Sequence, residues 1–294
     1  MGFWALRIPA APETAEGLTN FLWEQGALGV VEEEAAGESP RLRAFFPEST
    51  SAPALVAAVG DYQESLAALG LLPAPAPVEI ERLLEEAWAS AWQQAFPPRA
   101  VGERLIVVPP WEVSSNALAP RLPVVIQPGR AFGTGQHGST EGCLVLLEKA
   151  IGGRRPGVVL DIGTGTGILA VAAARLGAPG VCAIDVDPDA VGAARENAQR
   201  NGCAGKIQVA LGGPESLRRT AAFDLVLANL LTRAHLTLAP HYARLLATGG
   251  ALVLGGMLAG EEPEVAGALS PNGLVLDASI EIDGWVSLLL HREP

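Results

Sequence analysis

With 294 residues, 49% of them hydrophobic and 18% charged, the chain is long enough for two domains with apolar cores. A formal net charge of -12 argues against a general nucleic-acid-binding face, which needs clustered Lys and Arg, and suits a small molecule or a basic protein as partner. No apolar stretch reaches bilayer-spanning length, the N-terminus lacks a basic region followed by an apolar run, and Cys143, Cys182 and Cys203 form neither a disulfide framework nor a metal motif, so a reduced, cytoplasmic, metal-free protein is expected.

In chain order, Phe3 to Ile8 reads as a strand, and Pro12 to Gln25 as a helix with Leu18, Phe21 and Leu22 on one face. Leu28 to Glu34 and Arg41 to Phe46 read as strands around a Gly-Glu-Ser-Pro turn. Ala52 to Leu69 reads as a second helix stopped by Gly70, and Pro77 to Ile80 as a last short strand. The order βαββαβ fits a small ferredoxin-like α+β domain over residues 1–80. Glu81 to Phe96 then shows helical spacing of Leu83, Leu84, Trp88, Trp92 and Phe96 before Pro97-Pro98, which predicts a linker helix over 81–97.

Arg104 to Val108 and Pro123 to Gln127 are strand-like. From Gly138 onward strands and helices alternate. The strands are Val158 to Ile162, Val181 to Ile184, Ile207 to Leu211, Leu225 to Ala228 and Ala251 to Gly255, as expected of βα units on a parallel sheet. Leu274 to Ile282 and Trp285 to Leu290 flank Asp283-Gly284, a hairpin signal. A parallel sheet closed by an antiparallel hairpin over residues 98–294 fits a seven-stranded, Rossmann-like methyltransferase domain.

The sharpest motif is Val158-Val-Leu-Asp-Ile-Gly-Thr-Gly-Thr-Gly-Ile-Leu-Ala170, a strand, an acid, three alternate glycines and a helix. Gly163, Gly165 and Gly167 let the backbone turn sharply and approach a ligand. A dinucleotide fingerprint would need G-x-G-x-x-G, and position 168 is Ile. Asp161 would repel a phosphate and could hold an ammonium, so the motif favours a ligand with an amino-acid end, such as S-adenosylmethionine; the alternative is a tight turn with no ligand. Asp185 ends the next strand, where an acid accepts hydrogen bonds from ribose hydroxyls, while Asp187-Pro188 reads as a helix cap. Asn229 ends the apolar run Phe223 to Ala228 at the carboxyl edge of the sheet, either to grip a substrate amine or to cap the helix from Thr232. Gln127 to Thr140 contains Gly129, Gly133, Gly135 and Gly138, and reads as a flexible loop with or without a function. His137, His235, His241 and His291 do not cluster, and only His137 lies in that loop.

Together these segments resemble the ribosomal protein L-eleven (L11) methyltransferase family. Phe132-Gly-Thr-Gly-Gln-His137-Gly-Ser-Thr140 is similar to its loop F-G-T-G-x-H-x-T-T, with Ser139 at the first Thr. Leu160 to Ala170, Ile184 to Val191 and Ala228-Asn-Leu-Leu231 are similar to its cofactor and A-N-I/L-L motifs, and Trp88 to Pro98 with Pro110-Trp111-Glu112 to its linker region. Gln93 and Pro97 stand where the family usually carries Lys.

The resemblance implies a class I enzyme that uses S-adenosyl-L-methionine to methylate lysine side chains and an α-amine of L11. The N-terminal domain would recognise that basic protein, with no nucleic acid or membrane involved. By position it assigns cofactor contacts to Thr140, Gly163, Asp185 and Asn229; the residue reading adds Asp161 and Gly165 to the cofactor, and the catalytic role to Asn229. Two alternatives remain. One is a class I methyltransferase for another protein or a small molecule; a small-molecule enzyme would need no docking domain and would keep its activity after deletion of residues 1–80. A non-catalytic S-adenosylmethionine-binding module would turn nothing over.

Overall fold

The computed structural model describes residues 2–33, 41–72, 74–84, 93–94, 96–114, 120–129, 131–152, 157–218 and 220–293. The chain divides into two compact units, Met1–Phe96 and Pro97–Pro294. Among the described residues, no helix is long and apolar enough to cross a membrane.

The first unit runs β1 (Gly2–Pro9), α1 (Pro12–Glu24), β2 (Gly29–Glu33), β3 (Arg41–Pro47), α2 (Ala52–Ala68) and β4 (Glu79–Leu84). Its sheet has the order β2-β3-β1-β4, with every neighbouring pair antiparallel. Strand alternation explains the core. Leu6 and Ile8 of β1 and Leu42, Ala44 and Phe46 of β3 pack with Leu18 and Leu22 of α1 and Leu55 and Val59 of α2. On the opposite face Arg7 reaches Glu33 and Glu81, each at 3.3 Å.

The linker helix expected over 81–97 does not begin where its spacing suggested. Glu81–Leu84 belong to β4 and pair with β1, Ala5 opposite Glu81 and Phe3 opposite Leu83. Leu83 is buried and Leu84 exposed, the alternation of a strand. The edge of β1 supplies a backbone ladder, and Arg7 and Arg43 meet the Glu81 carboxylate, so tertiary pairing overrides the local helical pattern. The strand expected to end at Ile80 is therefore shifted towards the C-terminus. Residues 85–92, with Trp88 and Trp92, and the 37–40 turn lie outside the described residues.

In the second unit β5 (Arg99–Val101), β6 (Leu105–Val108) and β7 (Leu122–Val125) form a three-stranded sheet. Then follow α3 (Gly138–Ile151), β8 (Val159–Ile162), α4 (Ile168–Arg175), β9 (Val181–Asp185), α5 (Pro188–Arg200) and β10 (Ile207–Leu211). The chain continues through β11 (Phe223–Asn229), α6 (Thr232–Leu245), β12 (Leu246–Leu258), α7 (Glu262–Leu269), β13 (Leu274–Ile282) and β14 (Trp285–Arg292). The large sheet has seven strands in the order β10-β9-β8-β11-β12-β14-β13. The first five are parallel; β14 is antiparallel to both β12 and β13. Asp283 and Gly284 both have positive φ, as the tight turn between β13 and β14 requires.

Helices cover both faces of this sheet. Leu225 and Leu227 of β11 pack with α3 and α4 on one side, while Val226 and Ala228 pack with Tyr242 and Leu245 of α6 and Val265 of α7 on the other. Because β8 lies between β9 and β11, chain progression reverses at its carboxyl end. A crevice opens at such a switch point in open α/β sheets.

Candidate active site

Three strand ends meet at that crevice. Ile162 of β8 is in register with Ile184 of β9 on one side and Ala228 of β11 on the other. The next residues are Gly163, Asp185 and Asn229. Asp185 and Asn229 therefore stand two strand spacings apart, about 10 Å, with the glycine turn between them.

The turn is fixed by its backbone. Gly163 N and Thr164 N both donate to Ile184 O, at 2.9 and 3.1 Å. Gly163 and Gly165 have φ of 68° and 55°, in the left-handed region. A Cβ on Gly165 would lie 2.4 Å from the Phe132 carbonyl oxygen, so only glycine allows the Phe132 loop to close against the turn. That loop is pinned there, since Thr166 N donates to Phe132 O at 2.9 Å and Thr166 Oγ1 to Gly133 O at 2.6 Å. Buried Asn197 of α5 joins both segments: its Nδ2 donates to Thr166 O at 2.9 Å and its Oδ1 accepts from Gln127 N at 3.1 Å. The sequence reading assigned Asn197 no role, because an Asn within a helix carries no signal of a distant partner.

Asp161 is fully enclosed. Its Oδ2 accepts from Thr164 Oγ1 at 2.6 Å and from Ala170 N at 3.2 Å, so it braces the turn and the first turn of α4. Among the described residues its buried Oδ1 has no hydrogen-bond partner. Burial pushes the Asp161 carboxyl up to about 7. Asp185 Oδ2 accepts from Gly165 N at 2.9 Å and Oδ1 from Asp187 N at 3.0 Å. Asp187 caps α5 through Asp189 N at 2.9 Å, as its Asp-Pro context suggested.

Asn229 does not cap a helix. The cap residue of α6 is Leu231, and it makes no side-chain cap bond. Asn229 Nδ2 instead donates to Ser139 Oγ at 3.1 Å and Thr140 Oγ1 at 3.3 Å, both buried at the start of α3. Among the described residues the buried Asn229 Oδ1 has no hydrogen-bond partner. Thr140 therefore lies beside Asn229, and through it the loop before α3 joins the crevice. His137 caps α3: its Nδ1 accepts from Ser139 N at 3.3 Å and lies 2.8 Å from Ser139 Oγ. Its ring packs against Trp285, with centroids 4.5 Å apart. Ser139, His137 and Trp285 were not among the residues assigned to the site from sequence. Only the glycine-rich context of His137 pointed to it.

Among the described residues, two buried acceptors without a partner, a glycine turn that excludes Cβ atoms and an acid at the neighbouring strand end thus lie along one edge of the sheet. Residues 2–293 match the family model described as ribosomal protein L11 methyltransferase (PrmA).

The chain belongs to this family.

A ribosomal protein L11 methyltransferase of Pelotomaculum thermopropionicum is 38% identical over 307 residues, covering 98% of each chain. One from Symbiobacterium thermophilum is 43% identical over 220 residues, covering 74% of this chain and 69% of that one. The solved structure of the ribosomal protein L11 methylase of Lactobacillus delbrueckii subsp. bulgaricus superposes with a TM-score of 0.61 at 30% identity, covering 67% of this chain and 99% of that one. The α/β methyltransferase architecture with its mixed sheet is thus common to this chain and the family.

Proposed function

We propose that this chain transfers a methyl group from S-adenosyl-L-methionine to amines of ribosomal protein L11, both lysine side chains and an α-amine. The observation that carries the reading is the convergence of Asp185, the Gly163–Gly165 turn and the free Asn229 carbonyl at one sheet edge. The choice of substrate rests on the names of the relatives. A net charge of -12 favours encounter with a basic protein.

The residues present fit the cofactor. Asp185 would accept hydrogen bonds from the ribose hydroxyls, Gly163 and Gly165 would let the backbone approach, and Asp161, through its unpartnered Oδ1, would face the ammonium. Thr140 would line the methyl side beside Asn229. When bound, the cofactor supplies a methyl already activated on a sulfonium, so the protein mainly orients the reactants.

The acceptor must be a neutral amine. At pH 7 deprotonation costs about 4.6 kcal/mol for a lysine and about 1 kcal/mol for an α-amine. Asn229 Oδ1 would then accept a hydrogen from the neutral amine and hold its lone pair towards the methyl.

For residues Met1–Phe96 we propose a ferredoxin-like substrate-recognition domain, supported by the βαββαβ order and the β2-β3-β1-β4 sheet. The catalytic domain is then the second unit, Pro97–Pro294. A cytoplasmic site of action accords with the ribosomal target of the relatives.

Asp185→Ala is expected to weaken S-adenosylmethionine binding by about 1.5–3 kcal/mol, the usual range for a charge-assisted hydrogen bond. Titration calorimetry reads this directly; unchanged affinity would remove Asp185 from the site. The reading as a whole is tested by incubating the enzyme with methyl-labelled cofactor and an unmodified ribosomal protein mixture. Label in L11 alone is expected. Label in another protein, or only in small molecules, would transfer the activity to a different substrate, and no turnover would leave a binding module.

A further inference from the structure

The Asn229 amide has two faces of similar size and opposite chemistry, an oxygen that accepts and a nitrogen that donates. For a neutral amine nucleophile the difference is decisive. An oxygen towards the amine holds one of its hydrogens and leaves the lone pair free; a nitrogen there would donate into that lone pair and block attack. Asn229 alone does not choose between them, because Ser139 Oγ and Thr140 Oγ1 are hydroxyls that can either accept or donate.

We propose that His137, acting through Ser139, sets the orientation of the Asn229 amide and so makes both of them positioning residues for methyl transfer. His137 Nδ1 accepts from the Ser139 backbone N–H and sits 2.8 Å from Ser139 Oγ. An Nδ1 that accepts one hydrogen bond is the unprotonated nitrogen, so the hydroxyl hydrogen of Ser139 is drawn to it. Ser139 Oγ is then left with lone pairs only, and just a donor can meet it at 3.1 Å from the Asn229 side. The amide nitrogen takes that place, and Oδ1 is the atom left unpartnered. The ring of His137 is itself fixed by Trp285, with centroids 4.5 Å apart, and by the edge of Phe132 at 5.4 Å. Burial pushes the imidazole down to about 4, so the ring stays neutral across the neutral range and the acceptor role that the Ser139 N–H assigns to Nδ1 is not lost to a second proton. Loss of this acceptor frees the Ser139 hydrogen to turn towards Asn229, and the flipped amide becomes equally populated or preferred.

The inference rests on the proposed role of Asn229, and the test separates the two. Single-turnover rates and cofactor affinity are measured for Asn229→Ala, Ser139→Ala, His137→Ala, His137→Asn and the Ser139→Ala/His137→Ala double variant, with thermal unfolding alongside. His137→Ala is expected to lower the rate about tenfold or more, with cofactor affinity within about threefold of the parent. In the Ser139→Ala background the same change is expected to cost nothing further, because the relay is already broken. His137→Asn keeps an acceptor near the Nδ1 position and is expected to recover most of the loss.

A His137 that only capped α3 through the Ser139 backbone would cost as much with or without the Ser139 hydroxyl, and that outcome overturns the inference. So does an undiminished rate in His137→Ala when Asn229→Ala is slow. Near-normal turnover in Asn229→Ala overturns the reading of Asn229 itself. If His137→Ala does not fold, recovery in His137→Asn and loss in Ser139→Ala still decide the matter: a fast Ser139→Ala enzyme contradicts the relay.

Discussion

Asn229→Ala is expected to lower turnover on L11 about a hundredfold or more, while affinity for S-adenosylmethionine changes by less than about tenfold. The split follows from geometry. Asn229 leaves the sheet one strand from the glycine turn, and among the described residues its side chain donates to the hydroxyls of Ser139 and Thr140 through the amide nitrogen. Its carbonyl would be used on the incoming amine, an interaction that strengthens as the transition state is approached. Removing it costs orientation in the chemical step and little in cofactor binding. A fall in cofactor affinity that matched the fall in rate would instead make Asn229 a cofactor residue. Rates on lysine are also expected to rise with pH over a wider range than rates on an α-amine, because lysine must shed its proton from a higher pKa.

The second large effect concerns pH and Asp161. Burial holds this carboxyl up at about 7, and among the described residues its Oδ1 has no partner. A ligand ammonium favours the ionised form, so below pH 7 binding must expel a proton. Affinity for S-adenosylmethionine is therefore expected to fall about tenfold for each pH unit below 7, and to fall again above about 8, where the ligand's own α-amine loses its proton. Between pH 7 and pH 5 the loss is about fiftyfold, because the carboxyl is already half protonated at pH 7. Calorimetry in buffers of different ionisation enthalpy would count the released proton. Asp161→Asn keeps an acceptor for Thr164 and Ala170 and is expected to flatten the slope; a flat slope in the parent would mean that Asp161 only braces the turn.

The same shift has a sign for folding. A carboxyl raised above its unfolded value near 3.9 binds its extra proton in the folded state, so its contribution is present below that value and is lost as pH rises towards 7. His137, held down at about 4, contributes oppositely: its share is present above the unfolded value near 6.5 and is lost as pH falls towards 4. The two slopes offset each other over much of the acid range. The ligand-binding profile is therefore the sharper readout of Asp161.

Much of the second unit is legible in the sequence because its elements are short and self-announcing. Val159–Ile162 is a strand buried on both faces, so it reads as apolar residues broken only by Asp161 before a glycine turn with positive φ. Asp283-Gly284 specifies its hairpin by the positive φ that both residues adopt. Asp187-Pro188 specifies a helix start.

What stays hidden is whatever depends on distant partners. Glu81–Leu84 shows helical spacing, yet forms a strand because β1 offers a ladder and Arg7 a countercharge. Arg99–Val101 is too short to stand out, and is a strand only because β6 lies beside it. In the sequence Asn229 reads as a site residue with a helix cap as its alternative, and the cap reading falls only when the hydroxyls of Ser139 and Thr140, about ninety positions earlier in the chain, come within bonding distance. The likeness of the Phe132 to Thr140 loop and of Ala228-Asn229 to the L11 methyltransferase motifs marked these segments as belonging together. The contacts between them supply the physical reason.

The most direct test of the account is the intact mass of purified, unmodified L11 after incubation with the enzyme and S-adenosylmethionine. The parent enzyme is expected to add mass in whole methyl increments, with peptide mapping placing them on lysine side chains and the α-amine, and Asn229→Ala to add almost none in the same time. An L11 of unchanged mass under conditions where calorimetry shows the cofactor bound would contradict the account.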